Sequence, residues 1–169
     1  MAAELFTVMV LPALLALAAG YDLASFTIPN RLQLALLAAF AVYAFAAGLT
    51  PFVLGTHLLA GFLGLALGFT LFARGWIGGG DAKLFAAIAL WLGFRDLAAY
   101  AVAASLLGGG LTLGILMLRR LPLPAALAGQ GWLLRLHDGR AGIPYGVALA
   151  AGVFVILPQT EIFRLATGA

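Results

Sequence analysis

The longest stretch of the chain without a charged residue is LQLALLAAFAVYAFAAGLTPFVLGTHLLAGFLGLALGFTLFA, residues 32–73. A helix needs about 20 apolar residues to cross the hydrocarbon core of a bilayer, so this stretch is long enough for two crossings. Its middle, Gly48-Leu49-Thr50-Pro51, is typical of a turn. The stretch therefore predicts two membrane helices, over residues 32–48 and 52–73.

The composition of the whole chain agrees with a membrane protein. Of its 169 residues, 64% are hydrophobic and 9% are charged, whereas soluble domains have about 45–50% apolar and about 25% charged residues. This excludes a water-soluble enzyme, and the high hydrophobicity excludes a disordered chain. The sequence contains no cysteine, which excludes structural disulfides, zinc ribbons and thiol catalysis.

Four further apolar segments flank the central stretch, over residues 5–21, 84–94, 97–118 and 141–160. The 84–94 segment spans only about 17 Å as a helix, so we expect it to begin near Gly80 and to carry Asp81 and Lys83 at the membrane interface. Residues 130–138 have the mixed composition of an amphipathic segment on the membrane surface. We therefore expect one all-α membrane domain over residues 1–169, with six transmembrane helices.

The basic residues predict the orientation of these helices. Two of them, Arg95 and Arg164, fall on the side of the termini, and seven fall in the loops after spans one, three and five: Arg31, Arg74, Lys83, Arg119, Arg120, Arg135 and Arg140. Basic loops face the cytoplasm, so both termini should face the periplasm and the amphipathic segment should be cytoplasmic. We interpret the basic excess as a topology signal and expect no nucleic-acid partner.

Asp22 and Asp81 are predicted at the cytoplasmic ends of two different spans, at similar depth. Two facing carboxylates can share one proton, and such a pair can perform aspartyl proteolysis. Asp81 would lie at the positive end of its helix dipole and Asp22 at the negative end, so we expect Asp81 to act as base and Asp22 as acid in the resting enzyme.

Three other interpretations of the aspartates stay open at this point. Asp22 can be an interfacial polar residue and Asp81 an N-cap. In a small transporter or channel, the two carboxylates would be proton or cation sites. In a scaffold of a secretion complex, neither aspartate would be needed for function.

Three motifs occur in order along the chain: Tyr21-Asp22 followed by Ile28-Pro29-Asn30-Arg31, then Gly78-Gly79-Gly80-Asp81-Ala82-Lys83-Leu84, then Gly142-Ile143-Pro144-Tyr145-Gly146. Together they resemble the motifs of type IV prepilin peptidases, a family of intramembrane aspartyl proteases with a Gly-x-Gly-Asp motif. The resemblance covers nearly the whole chain.

The resemblance implies an endopeptidase that removes the short basic leader of prepilin-like proteins. Cleavage would follow a glycine at the cytoplasmic face of the inner membrane. Asp22 and Asp81 would be the catalytic pair, and no cofactor or metal is expected.

Residues expected to bind substrate or shape the site are Gly78, Gly79, Gly80, Lys83, Pro144, Tyr145 and Gly146. We expect the Gly78–Gly80 backbone and the Pro144–Gly146 turn to pair with the extended scissile segment. The expected partners are a prepilin-like substrate and anionic lipid headgroups.

The chain departs from the larger members of that family, which carry a cytoplasmic insert with two Cys-x-x-Cys pairs. Since the sequence holds no cysteine, N-methyltransferase activity is not expected. The short form is similar to the peptidases of Flp/Tad pilus systems and to archaeal preflagellin peptidases.

Several remaining residues carry structural predictions. We expect Trp76, Trp91 and Trp132 at the membrane interface, and a packing or interfacial role for His57. Close helix packing is predicted at the small residues Gly108, Gly109, Gly110 and Gly114. Arg119, Arg120, Arg135 and Arg140 are expected to bind anionic headgroups.

Overall fold

A computed structural model describes residues 2–124 and 129–167 of the chain, and all regular structure in this part is helical. The all-α prediction is therefore confirmed. In chain order the elements are α1 (Ala2–Leu5), a π-helical stretch (Phe6–Val10), α2 (Leu11–Ser25), α3 (Asn30–Ala46), α4 (Pro51–Ala73), α5 (Gly79–Leu118), α6 (Gly131–His137), α7 (Tyr145–Ile156), a 3₁₀ turn (Leu157–Gln159) and α8 (Glu161–Thr167).

The ends of the helices follow from local residues. Helix α2 ends because Phe26 adopts a left-handed conformation (φ 56°), in which its N–H binds the Asp22 carbonyl oxygen at 2.8 Å. Pro29 precedes α3 in an extended conformation. The Thr50 hydroxyl caps α4 by accepting from the N–H of Val53 at 3.4 Å. These caps delimit the apolar helices and place Asp22 in the last turn of α2.

Helix α5 is interrupted at Gly93, whose backbone (φ 65°, ψ −175°) has a conformation that is essentially restricted to glycine. The rings of Phe85 and Tyr100 stack with centroids 5.9 Å apart, whereas 15 residues of uninterrupted helix would separate them by about 22 Å. The halves 79–92 and 94–118 are therefore two helices packed side by side. The sequence predicted two spans here with a turn at Arg95-Asp96; the reversal lies at Gly93, and both charged residues are helical.

His57 of α4 packs against this reversal. Its Nδ1 lies 2.8 Å from the carbonyl oxygen of Leu90, which accepts only, so Nδ1 carries the proton. A Cβ added at Gly93 would lie 3.1 Å from Cε1 of His57. His57 is thus a buried packing residue, in agreement with the sequence interpretation.

Glycines let α4 approach the first half of α5 closely. A Cβ added at Gly61 or Gly64 would lie 2.9 Å from a Cβ atom of α5, and one at Gly68 would lie 3.0 Å from the backbone of Ala82. Close packing had been predicted instead for the glycines of the second half of α5. That prediction is wrong for Gly109, Gly110 and Gly114, where an added Cβ would meet nothing within 4 Å.

Trp91 lies in the core and not at an interface. It is fully buried, meets the Phe40 ring edge-on and the Tyr43 ring at a tilt, and donates its Nε1–H to the Leu36 carbonyl oxygen at 3.1 Å. The interfacial prediction is therefore wrong for Trp91. Trp76 and Trp132 are exposed to 65% and 40%, as an interfacial position requires.

Three helical stretches of the described chain are long and apolar enough to cross a membrane: Phe6–Ser25, Pro51–Ala73 and Gly79–Leu118. The apolar helices Asn30–Ala46 and Tyr145–Gln159 are shorter. These helices are consistent with a protein that crosses the membrane several times. The six-span count and the orientation stay predictions.

Candidate active site

The two aspartates predicted from the sequence lie close together. Asp22, in the last turn of α2, and Asp81, the third residue of α5, are 4% and 8% exposed. Both line one cavity of about 270 Å³, and their carboxylates interact electrostatically. The fold thus brings two buried acidic side chains from distant parts of the chain to one small cavity.

Asp22 binds the N-terminus of α7. Its Oδ2 accepts the backbone N–H of Gly146 at 2.6 Å, and the N–H of Val147 also interacts with this carboxylate. The first N–H groups of a helix have no partner within the helix and carry the positive end of its dipole. The negative end of α2 and the positive end of α7 therefore have opposite electrostatic effects on Asp22. The prediction from the sequence considered α2 but not α7.

The two carboxylate oxygens of Asp81 differ in their hydrogen bonding. The backbone N–H groups of Gly78 and Gly146 interact with its carboxylate. Its other oxygen, Oδ1, is buried and has no hydrogen-bond partner within residues 2–124 and 129–167. Buried carboxylate oxygens are ordinarily hydrogen-bonded, so Oδ1 is an acceptor that the described residues leave unused.

Each aspartate occupies space that only a glycine leaves open. A Cβ added at Gly146 would lie 2.8 Å from Oδ2 of Asp22, and one at Gly78 would lie 2.9 Å from Oδ2 of Asp81. Gly79 packs against Phe72, and Gly80 packs against Ile28. The glycines of the second and third motifs therefore make room for the carboxylates and for the chain around them.

The backbone of the glycine motif is less accessible than the sequence suggested. Gly79 and Gly80 belong to the first turn of α5, so of the three glycines only Gly78 is extended. The N–H of Gly146 is already donated to Asp22. The N–H of Gly78 interacts with the Asp81 carboxylate, and its carbonyl oxygen accepts from the N–H of Ala82 at 3.0 Å. The pairing of both segments with an extended substrate therefore has few unoccupied backbone groups, and it stays a prediction.

Two polar contacts near the cavity were missed by the sequence analysis. Gln33 of α3 donates its Nε2–H to the Gly80 carbonyl oxygen at 3.2 Å. Lys83 donates from Nζ to Oδ1 of Asn30 at 2.9 Å. Gln33 carried a signal that could have been used, since it is a polar side chain within a long uncharged stretch.

The third motif positions α7 beside an apolar groove. Pro144 is buried and precedes the helix, and the Tyr145 hydroxyl accepts a hydrogen bond from Oγ1 of Thr112 at 3.2 Å. The groove, of about 710 Å³, lies between α4, α5 and α7, with Asp81 and Tyr145 among its lining residues. Asp81 thus lines both the small cavity and this larger groove.

Arg119 fastens the segment that leads to α7. It donates from Nε to the Leu136 carbonyl oxygen at 2.8 Å, and from Nη2 to those of Ala141 and Gly142 at 3.0 Å. This arginine had been expected to bind lipid headgroups, but its guanidinium is occupied by backbone carbonyls. Arg120 beside it is exposed.

Of the nine predicted site residues, six line the small cavity: Asp22, Gly78, Gly79, Gly80, Asp81 and Lys83. Gly146 joins them through its N–H, and Pro144 and Tyr145 directly precede it. Within the described residues, no group of three or more His, Asp or Glu side chains is arranged to hold a metal ion.

The sequence of the chain also matches a known protein family. The type IV leader peptidase family, Peptidase_A24, matches residues 9–113, which include both aspartates. A prepilin leader peptidase/N-methyltransferase of Bacillus subtilis (strain 168) is 32% identical over 167 residues, covering 88% of this chain and 62% of that protein. The chain therefore spans less than two thirds of the length of this curated relative. No solved structure matches the chain. Because the family match extends over more than half of the sequence, the chain belongs to the type IV leader peptidase family.

Proposed function

We propose that this chain is an aspartyl endopeptidase that removes the leader peptide of prepilin-like proteins, with Asp22 and Asp81 as the catalytic pair. The observation that carries the proposal is the meeting of both carboxylates at one cavity, where each also faces the N–H of Gly146. Two aspartates that only capped helices would not need to share a cavity and an amide.

The chemistry follows from one proton shared between two carboxylates. The ionised carboxylate takes a proton from a water molecule, whose oxygen attacks the scissile carbonyl carbon, while the protonated carboxylate donates to the carbonyl oxygen. Collapse of the resulting diol then breaks the C–N bond, and the leaving amine takes a proton from the pair. Because the two groups titrate together, the pH–rate profile belongs to the pair. Because the ends of α2 and α7 have opposite effects at Asp22, the roles of Asp81 as base and Asp22 as acid stay a prediction from the helix ends alone.

The two spaces beside Asp81 suggest how the substrate is oriented. The small cavity contains polar groups and glycine backbone, whereas the larger groove is lined almost entirely by apolar side chains of α4, α5 and α7. We infer that the leader enters by the cavity and that the apolar segment after the scissile bond lies in the groove. The scissile bond would then lie at Asp81, which lines both.

The side of the membrane is inferred from charge. Lys83 and Arg119 lie at the same end of the helices as the two aspartates, while Arg95 pairs with Glu161 near the reversal of α5, with Nη1 and Oε1 2.9 Å apart. By the positive-inside rule, the active site would face the cytoplasm from the inner membrane. The relative's name also includes N-methyltransferase; we propose only the peptidase activity here.

The proposal is tested by co-expression with a tagged prepilin-like protein that has a basic leader, a glycine and an apolar segment. The wild type is compared with Asp22→Asn and Asp81→Asn, and the product is identified by gel shift and intact mass. Asp138→Asn is the matched control, since Asp138 is exposed and accepts from the N–H of Arg140 at 2.8 Å. Size-exclusion elution and circular dichroism verify that each variant is folded.

We expect cleavage after the glycine by the wild type and by Asp138→Asn, and none by the other two variants. Cleavage that survives either Asp22→Asn or Asp81→Asn contradicts the aspartyl mechanism. If no leader is removed even by the wild type, proton flux into proteoliposomes is measured next. Flux that is lost in both variants would support a transporter in place of a peptidase.

A further inference from the structure

A second groove, of about 540 Å³, lies between α3, α4 and the first half of α5. Neither aspartate lines it. Its walls are mostly apolar and include Leu37, Phe62 and Leu90, and its polar lining residues are Asn30, Gln33 and Lys83. We refer to it as the Lys83 groove. The peptidase mechanism proposed above does not use this space.

The polar residues of the Lys83 groove are confined to one end. Asn30 is the first residue of α3, Gln33 lies one turn further, and Lys83 lies near the start of α5. From Lys83 to Leu90 the groove follows about 10 Å of helix, at a rise of 1.5 Å per residue. A molecule that fills it must therefore be polar at one end and apolar along the rest.

The polar end has hydrogen-bonding capacity that the protein does not use. The exposed ammonium of Lys83 has three donors, of which Asn30 accepts one. Gln33 is 6% exposed, and its Oε1 is buried without a hydrogen-bond partner in the described part of the chain. A buried amide oxygen without a donor is unfavourable, so a ligand that donates to it would be stabilised. This end of the groove therefore favours a ligand that carries a negative charge and a hydroxyl donor.

We propose that the Lys83 groove binds one anionic phospholipid whose headgroup bears a hydroxyl, of the phosphatidylglycerol type. The phosphate pairs with Lys83, a headgroup hydroxyl donates to Oε1 of Gln33, and an acyl chain lies along Leu37, Phe62 and Leu90. A zwitterionic lipid fits less well, because its ammonium would lie beside the positive charge of Lys83. The apolar part of a prepilin-like substrate is assigned to the other groove, which contains Asp81.

The experiment measures lipid retention by native mass spectrometry of the full chain in a non-ionic detergent. Equal amounts of phosphatidylglycerol and phosphatidylethanolamine with the same acyl chains are added. We expect the wild type to retain one phosphatidylglycerol with a preference of at least fivefold. Lys83→Gln should lose most of this preference, and Lys83→Arg should keep it. Arg74→Gln is the matched control, since it removes one positive charge at the same end of the helices but lies outside the groove.

A second variant tests the apolar part of the groove. Leu37 is 45% exposed, so Leu37→Trp should fold and should occupy the space of the acyl chain. It is expected to reduce retention of both lipids. If Lys83→Gln does not fold, this variant alone tests whether a lipid occupies the groove. Gln33 is not used as a test, because its amide also binds Gly80.

Three results would overturn the proposal. The first is equal retention of the two lipids by the wild type. The second is retention that is unchanged in Lys83→Gln or in Leu37→Trp. The third is a photo-crosslink from the apolar segment of an uncleaved substrate to residue 37, which would make the groove a substrate site. Lipid mass is the readout, so the result does not depend on whether the chain cleaves prepilins.

Discussion

Gly146 donates its backbone N–H to Oδ2 of Asp22 over 2.6 Å, although 124 positions of sequence separate the two residues. This contact joins the start of α7 to the end of α2. It holds the carboxylate through a long-range hydrogen bond that no local sequence motif predicts. The same amide also interacts with Asp81. One backbone group is therefore common to both proposed catalytic side chains.

Gly146→Ala should impair cleavage strongly. The new methyl group would lie 2.8 Å from Oδ2 of Asp22 and from Cδ1 of Ile28, so the carboxylate must move away from the amide. Hydrogen bonds to charged groups contribute about 1.5–3 kcal/mol, which predicts a loss of about 10- to 100-fold in kcat/KM. Gly142→Ala is the control in the same segment, since its Cβ would meet nothing within 4 Å. A wild-type rate for Gly146→Ala would show that Asp22 does not need this position.

Gln33→Leu should lower kcat more than it changes KM. Gln33 acts through the Gly80 carbonyl that it holds at 3.2 Å, and Gly80 directly precedes Asp81. A neutral hydrogen bond contributes about 0.5–1.5 kcal/mol, so we expect a two- to tenfold decrease in kcat. Steady-state kinetics on a prepilin-like substrate separate the two parameters. Leu34→Ala, at the exposed neighbouring position, should leave both unchanged; an increase in KM alone for Gln33→Leu would argue against a positioning role.

Arg119→Gln should loosen the segment before α7. The variant loses the guanidinium that binds the carbonyl oxygens of Leu136, Ala141 and Gly142. Limited proteolysis should then cut faster between residues 137 and 143, and cleavage activity should fall with it. Arg119→Lys should not restore either property, because an ammonium cannot reproduce the planar donor fork. Arg120→Gln removes the same charge at an exposed site. If it changed proteolysis and cleavage activity as much as Arg119→Gln, Arg119 would act only through its charge.

Two glycines of α4 should respond in opposite ways to alanine. At Gly64 a Cβ would lie 2.9 Å from Cβ of Ala89, so Gly64→Ala forces α4 and α5 apart and should cost about 1–3 kcal/mol. At Gly55 a Cβ would meet nothing within 4 Å, so Gly55→Ala should leave stability unchanged or slightly raised. Thermal unfolding in detergent measures both. Equal melting temperatures for the two variants would contradict the close packing of α4 on α5.

Gly93→Ala should destabilise the reversal within α5. The backbone there has φ 65°, a conformation that costs an L-residue about 1–3 kcal/mol. The added methyl group would also meet the His57 ring at 3.1–3.3 Å. Apparent melting temperature in detergent is the measurement, with Gly110→Ala as the control, since its Cβ would meet nothing within 4 Å. If both variants melt at the wild-type temperature, the left-handed conformation at Gly93 is not required.

The sequence by itself determined the class of the protein and the two aspartates to examine. A charge-free stretch of 42 residues and the low charge content required a membrane protein of helices. The positions of Asp22 and Asp81 at the ends of apolar segments predicted that they lie at the same level. These properties follow from composition and spacing along the chain, because the solvent that each segment meets depends mainly on its own hydrophobicity.

Only the tertiary structure decided which groups meet. The N–H of Gly146 reaches Asp22, Gln33 reaches Gly80, and the Trp91 indole lies in the core instead of at an interface. Close packing occurs at Gly61, Gly64 and Gly68 of α4 and not at Gly109 and Gly110. Each of these contacts depends on which helix lies beside which face. Because all faces of these helices are apolar, hydrophobic periodicity could not indicate that choice.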